Sequence, residues 1–361
     1  MIPFNDFSKE PEELKKEIQQ AIQRVVDSGW FILGKELEAF ELAFAQYIGT
    51  RYCVGVASGT EAIALALMAN NIGMGDEVIT TNITAYPTIT GILQAGAHPV
   101  VVDILDSNGL IDTSRIEEKI TARTEAIVPV HLYGQSCNLD AIKALADRNN
   151  LLIIEDCAQA CGATFKDKKC GSMGNCGAFS FYPTKNLGAY GDGGAITTND
   201  EAVYKKLLAL RNYGQTKRYY HDSKGLNSRL DEIQAAILNV KLKYLDQFNR
   251  ERQAIAQAYR NGLQRVECLS QESYGMPCYH LFVIKSPYRD QLAEYLAEHG
   301  IQTLIHYPVP VNRQKAFKWQ KEETMENSVE FADSILSLPI YPGLPKEHID
   351  QIIQTINEFK P

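Results

Sequence analysis

Seven short runs rich in apolar and β-branched residues recur in the first 200 positions, at 53–57, 77–80, 99–104, 126–131, 151–155, 177–182 and 194–198. Stretches of helical character, such as 60–70, 139–149 and 202–210, lie between most of them. This alternation restricts the fold sharply. Parallel neighbours need a long crossover, and crossover helices cover the faces of the sheet they connect. Leu151-Leu152-Ile153-Ile154 is apolar at every position, the pattern of a strand buried on both faces. The last two runs are joined by a glycine-rich turn and a short connection, which suits an antiparallel pair within the sheet. The predicted architecture is α/β, with a mostly parallel seven-stranded sheet and helices on both faces.

Beyond residue 200 the pattern changes. Leu230, Ile233, Ile237, Val240, Tyr244 and Phe248 follow one another at spacings of three and four, which predicts one long helix over 230–262. A strand at 280–285, a helix at 287–299 and two terminal helices then predict a smaller α+β domain. The expected boundary lies near residue 250, giving a large domain over 1–249 and a small one over 250–361. Helices at 11–28 and 35–47 precede the sheet.

The formal charge of −8, from 36 basic and 44 acidic residues, removes the broad attraction to phosphate backbones on which nucleic-acid binding rests. Any phosphorylated ligand has to be met by a local site. The first seven residues carry neither a basic region nor an apolar run, and no stretch reaches the roughly 20 apolar residues that span a bilayer. The expectation is a cytoplasmic protein with no membrane partner. Cys157, Cys161, Cys170 and Cys176 lie close together but form no C-x-x-C pair, and no histidine stands among them. Reduced structural thiols, and no metal, are expected.

Ligands of open α/β sheets sit beyond the carboxyl ends of the strands, so polar residues there are the candidates. In Ala57-Ser58-Gly59-Thr60-Glu61-Ala62 a strand gives way to a helix, whose free N–H groups and dipole attract an anion. The same pattern also describes an ordinary Ser N-cap. Asp156 directly follows the most apolar strand, where a carboxylate is costly without a positive partner or a capping role. Lys185 follows another buried run and a proline turn, in Ser180-Phe181-Tyr182-Pro183-Thr184-Lys185-Asn186-Leu187-Gly188. A lysine buried there has a lowered pKa and offers the neutral amine that attacks an aldehyde. Gly191-Asp192-Gly193-Gly194 marks a tight turn into the next strand and lacks the spacing of a dinucleotide fingerprint.

With S-G-T-E-A, I-E-D-C-A-Q-A, S-F-Y-P-T-K-N-L-G and N-S-R-L-D-E-I-Q-A-A in this order, the chain resembles the DegT/StrS-type sugar nucleotide aminotransferases over nearly its whole length. These are enzymes of pyridoxal 5′-phosphate (PLP), of fold type I, the aspartate aminotransferase fold. The resemblance implies that Lys185 carries PLP as a Schiff base and acts as general acid and base. It implies that Asp156 pairs with the pyridine nitrogen, that Gln159 lies beside the ring oxygen, and that Gly59, Thr60 and Ser180 hold the phosphate. Tyr86 falls where the family sets an aromatic ring on the cofactor face. Asn227 would reach the phosphate of the neighbouring subunit, making the site a property of a homodimer.

Tyr182, Lys217, His306 and Tyr307 are the candidates on the substrate side, with Lys217 or Arg218 meeting a diphosphate. The strings at 211–215, 227–232 and 306–308 look most like enzymes that aminate C-3 of a dTDP-3-keto-6-deoxyhexose. Glutamate is then the donor, 2-oxoglutarate its product, and pyridoxamine phosphate the second form of the cofactor. Enzymes aminating C-4 of a dTDP- or UDP-4-keto sugar are the alternative within the family, and a non-catalytic regulator on the same fold is the alternative outside it. Relatives that dehydrate sugars carry histidine at the position of Lys185.

Overall fold

The computed structural model of the protein describes residues 1–317 and 324–361. The expected strands form as β1 (Tyr52–Val56), β2 (Glu77–Thr81), β3 (His98–Val102), β4 (Thr124–Val128), β5 (Leu152–Asp156), β6 (Cys176–Ser180) and β7 (Gly194–Thr198). They make one seven-stranded sheet in the order β1-β7-β6-β5-β4-β2-β3. Every neighbouring pair is parallel except those of β7, which runs against both β6 and β1. The antiparallel arrangement expected of the last two strands is present.

Helices α1 (Glu12–Ser28) and α2 (Lys35–Ile48) precede the sheet, while α3 (Gly59–Ala69), α4 (Pro87–Gln94), α5 (Leu139–Asn149) and α6 (Glu201–Leu210) follow its strands. Alternate side chains of each strand enter different cores. In β4, Ile127 packs with Ile79 and Ile153 under Ile142 and Leu145 of α5. Its neighbours Ala126 and Val128 join Val56, Ile154 and Ile196 beneath α3 and Leu207 of α6. On β6, Phe179 meets Phe44 of α2 edge-on, with ring centroids 5.0 Å apart. Burial of a side chain of this kind contributes about 1.5–3 kcal/mol, so two covered faces, rather than strand propensity, hold these runs in place.

The stretch 230–262 is two helices, not the single one expected: α7 (Glu232–Leu242) and α8 (Leu245–Gly262). At the junction Lys243 N–H and Tyr244 N–H bond to the carbonyls three residues back, at 3.2 and 3.0 Å, and the helix tightens and ends. Lys243 and Tyr244 also both reach Glu17 of α1. Beyond Phe248, which stays in the core of α7, the two helices serve different cores. Ala236, Ile237 and Val240 of α7 pack on Leu14 and Ile18 of α1, whereas Ile255 and Tyr259 of α8 pack with the C-terminal residues.

Those C-terminal residues form a three-stranded antiparallel sheet of β8 (Glu267–Cys268), β9 (Phe282–Lys285) and β10 (Ile335–Leu338), with α9 (Arg289–Glu298), α10 (Glu326–Ser334) and α11 (Lys346–Glu358). Ile2 belongs to this unit, since its amide bonds to Gly300 O at 2.7 Å and its side chain lies in the same core as Phe282 and Ile352. No helix of the described residues is long and apolar enough to cross a membrane.

Candidate active site

Parallel pairing brings the carboxyl ends of β1, β2, β5 and β6 to one edge of the sheet, together with the start of the reversed β7. A cavity of about 310 Å³ opens there, lined by Gly59, Thr60, Asp156, Gln159, Ser180, Tyr182 and Lys185, with Thr84 and Thr88. Four segments separated by up to about 130 residues in sequence thus share one wall.

The N-cap reading of the first motif holds. Ser58 caps α3, its Oγ accepting from Glu61 N–H at 3.2 Å. The amides of Gly59 and Thr60, at the first turn, have no intrahelical acceptor and face the cavity end of the helix dipole. Gly59 is needed for the approach: a Cβ there would lie 2.6 Å from Ser180 Cβ. The start of α3 and the end of β6 therefore form one cradle. Ser228 fastens it from below, donating to Glu61 Oε2 at 2.5 Å and accepting from Ala57 N–H at 3.2 Å.

Lys185 closes a turn, its amide bonding to Tyr182 O at 2.8 Å. Ala189 N–H returns to Phe181 O at 2.8 Å, and at Gly188 a Cβ would come within 2.2 Å of Pro183 O. The loop is thereby folded back on the strand end and its lysine is turned inward. Asn186 anchors it from the other side, through Asn249 Oδ1 at 2.7 Å and Cys278 O at 2.9 Å. Burial lowers the Lys185 amine from its ordinary value to about 8, against the pull of the Asp156 charge.

Asp156 is buried, accepting from Ala158 N–H at 3.1 Å and from Thr88 Oγ1 at 2.8 Å. Burial raises its carboxyl, while these two donors and the charge of Lys185 pull the other way. Gln159 is fixed at both ends: its Oε1 accepts from Tyr133 N–H at 2.6 Å and its Nε2 donates to Tyr307 OH at 2.8 Å.

Glu155, one residue earlier, points to the opposite side of the strand and is a brace. Its carboxylate takes the amides of Gly171, Met173 and Gly174 at 2.7–2.8 Å and faces His131 Nε2 at 3.0 Å. Burial would raise this carboxyl, but the His131 bond and these amides outweigh it and hold it below its ordinary value. Cys137 N–H donates to His131 Nδ1 at 3.0 Å, so the ring is neutral, with its proton toward Glu155. Ligand-type atoms of His131, Glu155 and Cys157 lie within 4.8 Å of one another. Histidine does therefore join a cysteine of the cluster in space, though not in sequence. Both imidazole nitrogens and both carboxylate oxygens are already bonded, which is the pattern of a structural network rather than of an open coordination site.

Other expected residues lie outside the cavity wall. Tyr86 stands between the lining residues Ala85 and Pro87, but its ring is half-buried against Ile89, Val101 and Val311. His306 bonds to Ser337 Oγ at 2.9 Å, and burial, then the Lys185 charge, lowers its pKa to about 4, so it is neutral beside the amine. Tyr307 enters through Gln159, and burial raises its hydroxyl. Lys217 sits on an exposed hairpin, Gln215–Lys217 with Tyr220–His221, its Nζ 5.3 Å from the Tyr220 ring centroid. Asn227 is exposed, bridges to Asn212 and is not among the residues that line the cavity.

Sequence reading missed Thr88, Tyr133 and the His131–Glu155 pair. The one available signal was Thr84-Ala85-Tyr86-Pro87-Thr88, two hydroxyls one helical turn apart where a strand end meets a proline-started helix.

The residues present fit PLP. The cradle of Gly59, Thr60 and Ser180 suits its phosphate, Asp156 is a buried carboxylate in need of a positive partner, and the Lys185 amine is neutral enough to meet an aldehyde. Residues 12–357 match the DegT/DnrJ/EryC1/StrS aminotransferase family. The chain is 47% identical to the dTDP-3-amino-3,6-dideoxy-alpha-D-galactopyranose transaminase of Aneurinibacillus thermoaerophilus, over 99% of each. It is 43% identical to the erythromycin biosynthesis sensory transduction protein EryC1 of Saccharopolyspora erythraea, over 98% of each. Among solved structures, DesV of S. venezuelae in complex with a ketimine intermediate superposes with a TM-score of 0.96 at 43% identity, covering 99% of this chain and 98% of that one. Matched in this way from end to end, the chain belongs to the DegT/DnrJ/EryC1/StrS aminotransferase family and is a PLP-dependent aminotransferase.

Proposed function

We propose that the protein moves the amino group of glutamate to C-3 of a dTDP-3-keto-6-deoxyhexose, yielding a 3-amino-3,6-dideoxy sugar nucleotide and 2-oxoglutarate. The observation that carries the chemistry is the lowered Lys185 amine facing the same cavity as Asp156. Bound PLP supplies an electron sink that stabilises negative charge on the carbon next to nitrogen. Lys185 Nζ holds the cofactor and, once displaced, carries the proton between cofactor carbon and sugar carbon. Asp156 keeps the ring nitrogen charged, Gln159 lines the ring, and Gly59, Thr60 and Ser180 bind the phosphate. Asn227, exposed and outside its own cavity's lining, completes the site of a second copy in a homodimer.

Tyr182, in the cavity wall, Tyr307, which reaches it through Gln159, and its neighbour His306 are the residues we assign to the sugar side. Lys217, on its exposed hairpin, meets the diphosphate that the chain's net charge of −8 would otherwise repel. The proposed division near residue 250 gives a large cofactor-binding domain over 1–249 and a small one over 250–361, whose Cys278 carbonyl accepts from Asn186 of the lysine loop. The choice of C-3 rests on the string at 227–232 and on the 47% identity to a relative named for a 3-amino sugar. One relative is named as a sensory transduction protein, but retention of Lys185, Asp156 and the cradle favours chemistry over signalling. Purified protein given glutamate and either the 3-keto or the 4-keto sugar nucleotide, with the aminated carbon assigned by NMR, tests the proposal. Turnover of the 3-keto compound is expected. Activity confined to the 4-keto isomer would contradict it.

A further inference from the structure

Asp156 is held by a chain of hydroxyls as well as by its strand. Thr88, in the first turn of α4, donates from Oγ1 to Asp156 Oδ2 at 2.8 Å. Thr84 Oγ1 lies 2.8 Å from Thr88 Oγ1. An ionised carboxylate accepts only, so the single Thr88 proton is committed to Asp156. The contact behind it therefore has one direction, with Thr84 donating to Thr88. All three groups are buried, at 5%, 2% and 3% exposure for Thr84, Thr88 and Asp156. In such surroundings successive hydrogen bonds polarise one another, and the inner donor is strengthened by the outer one. The amino end of α4 adds its partial positive charge on the same side.

Burial favours the neutral carboxyl, and donors to the carboxylate favour the charged one. We infer that Thr88, backed by Thr84, is a positioning residue that keeps Asp156 ionised and oriented, so that the proton shared with the pyridine nitrogen stays on the nitrogen. This rests on the assignment of Asp156 to that nitrogen. The other ionisable groups acting on Asp156 are Lys185, after β6, His131, after β4, and Tyr307, from the C-terminal part. None of them bonds to either threonine. A Thr88→Val change therefore removes the hydroxyl, keeps the branched shape and leaves those groups in place.

The test is the ¹⁵N chemical shift of PLP labelled at the pyridine nitrogen, measured in the loaded wild-type protein and in T88V, T88S, T84V and D156N. Retained PLP is measured in parallel by dialysis. In the wild type the shift should be that of a protonated ring. T88V should move it toward the unprotonated value and weaken PLP binding by about tenfold, the loss of one charge-assisted bond. T88S should restore both readings. T84V should move the shift in the same direction by less, which also gives the answer should T88V not fold. If D156N moves the shift and neither T88V nor T84V does, the hydroxyl pair is packing and this inference is overturned, while the Asp156 assignment stands. An unmoved shift in D156N overturns the assignment and this inference together.

Discussion

A lysine of ordinary pKa, 10.5, is about 0.03% neutral at pH 7, whereas one lowered to about 8 is about 9% neutral, a gain of roughly 300-fold in reactive amine. The cause is burial, which the negative charge of Asp156 partly offsets. Removing that charge therefore has a definite sign. In D156N the remaining desolvation should take the amine below 8, not back toward 10.5. The assay is the rate of arylation of cofactor-free protein by fluorodinitrobenzene between pH 6 and 11, with the Lys185 peptide quantified by mass spectrometry. Wild-type protein should show a midpoint near 8 and a plateau above it, and D156N the same curve displaced to lower pH. A lysine-containing model peptide in the same reaction serves as the reference. A Lys185 midpoint at 10 or above, or an upward displacement in D156N, would show that burial does not set this amine.

Two other consequences are open to measurement. Glu155→Ala would leave His131 Nε2–H and the amides of Gly171, Met173 and Gly174 facing an empty space, and should cost about 3–5 kcal/mol in denaturant unfolding. A loss below 1 kcal/mol would mean that these donors find water. Because the folded Glu155 carboxyl lies below its ordinary 4.5, its contribution is present above that pH and declines as pH falls through the folded value. If Asn227 serves the partner's site, mixed dimers of K185A with N227A should regain activity, since one of their two sites then carries neither change. No recovery on mixing would place Asn227 in its own chain's chemistry or in none.

Much of the fold was legible because strand burial on two faces writes itself as apolar runs, and the candidate site because its polar residues follow strand ends. Lys185 and Asp156 stand out as charges directly after such runs. Less visible were contacts that join distant positions without any periodic mark. Thr88 meets Asp156 across 68 residues, and His131 meets Glu155 across 24. The break at Lys243–Tyr244 was hidden for another reason. Val240, Tyr244 and Phe248 stay in one cluster across the junction, so the spacing continues although the backbone turns. The motif at 227–232 illustrates a different limit. Ser228 braces Glu61, and Glu232 caps the start of α2 through the amides of Gly34, Glu36 and Leu37, so much of what makes the string recognisable is architecture. Its exposed member Asn227 is the one proposed to serve a second copy.

The bond between Lys185 and PLP is open to one direct experiment. Protein loaded with PLP, reduced with borohydride and digested should yield a single peptide bearing covalent phosphopyridoxyl, on Lys185, with loss of the yellow colour. Label on another lysine, or a colourless protein that takes up no PLP, would contradict it.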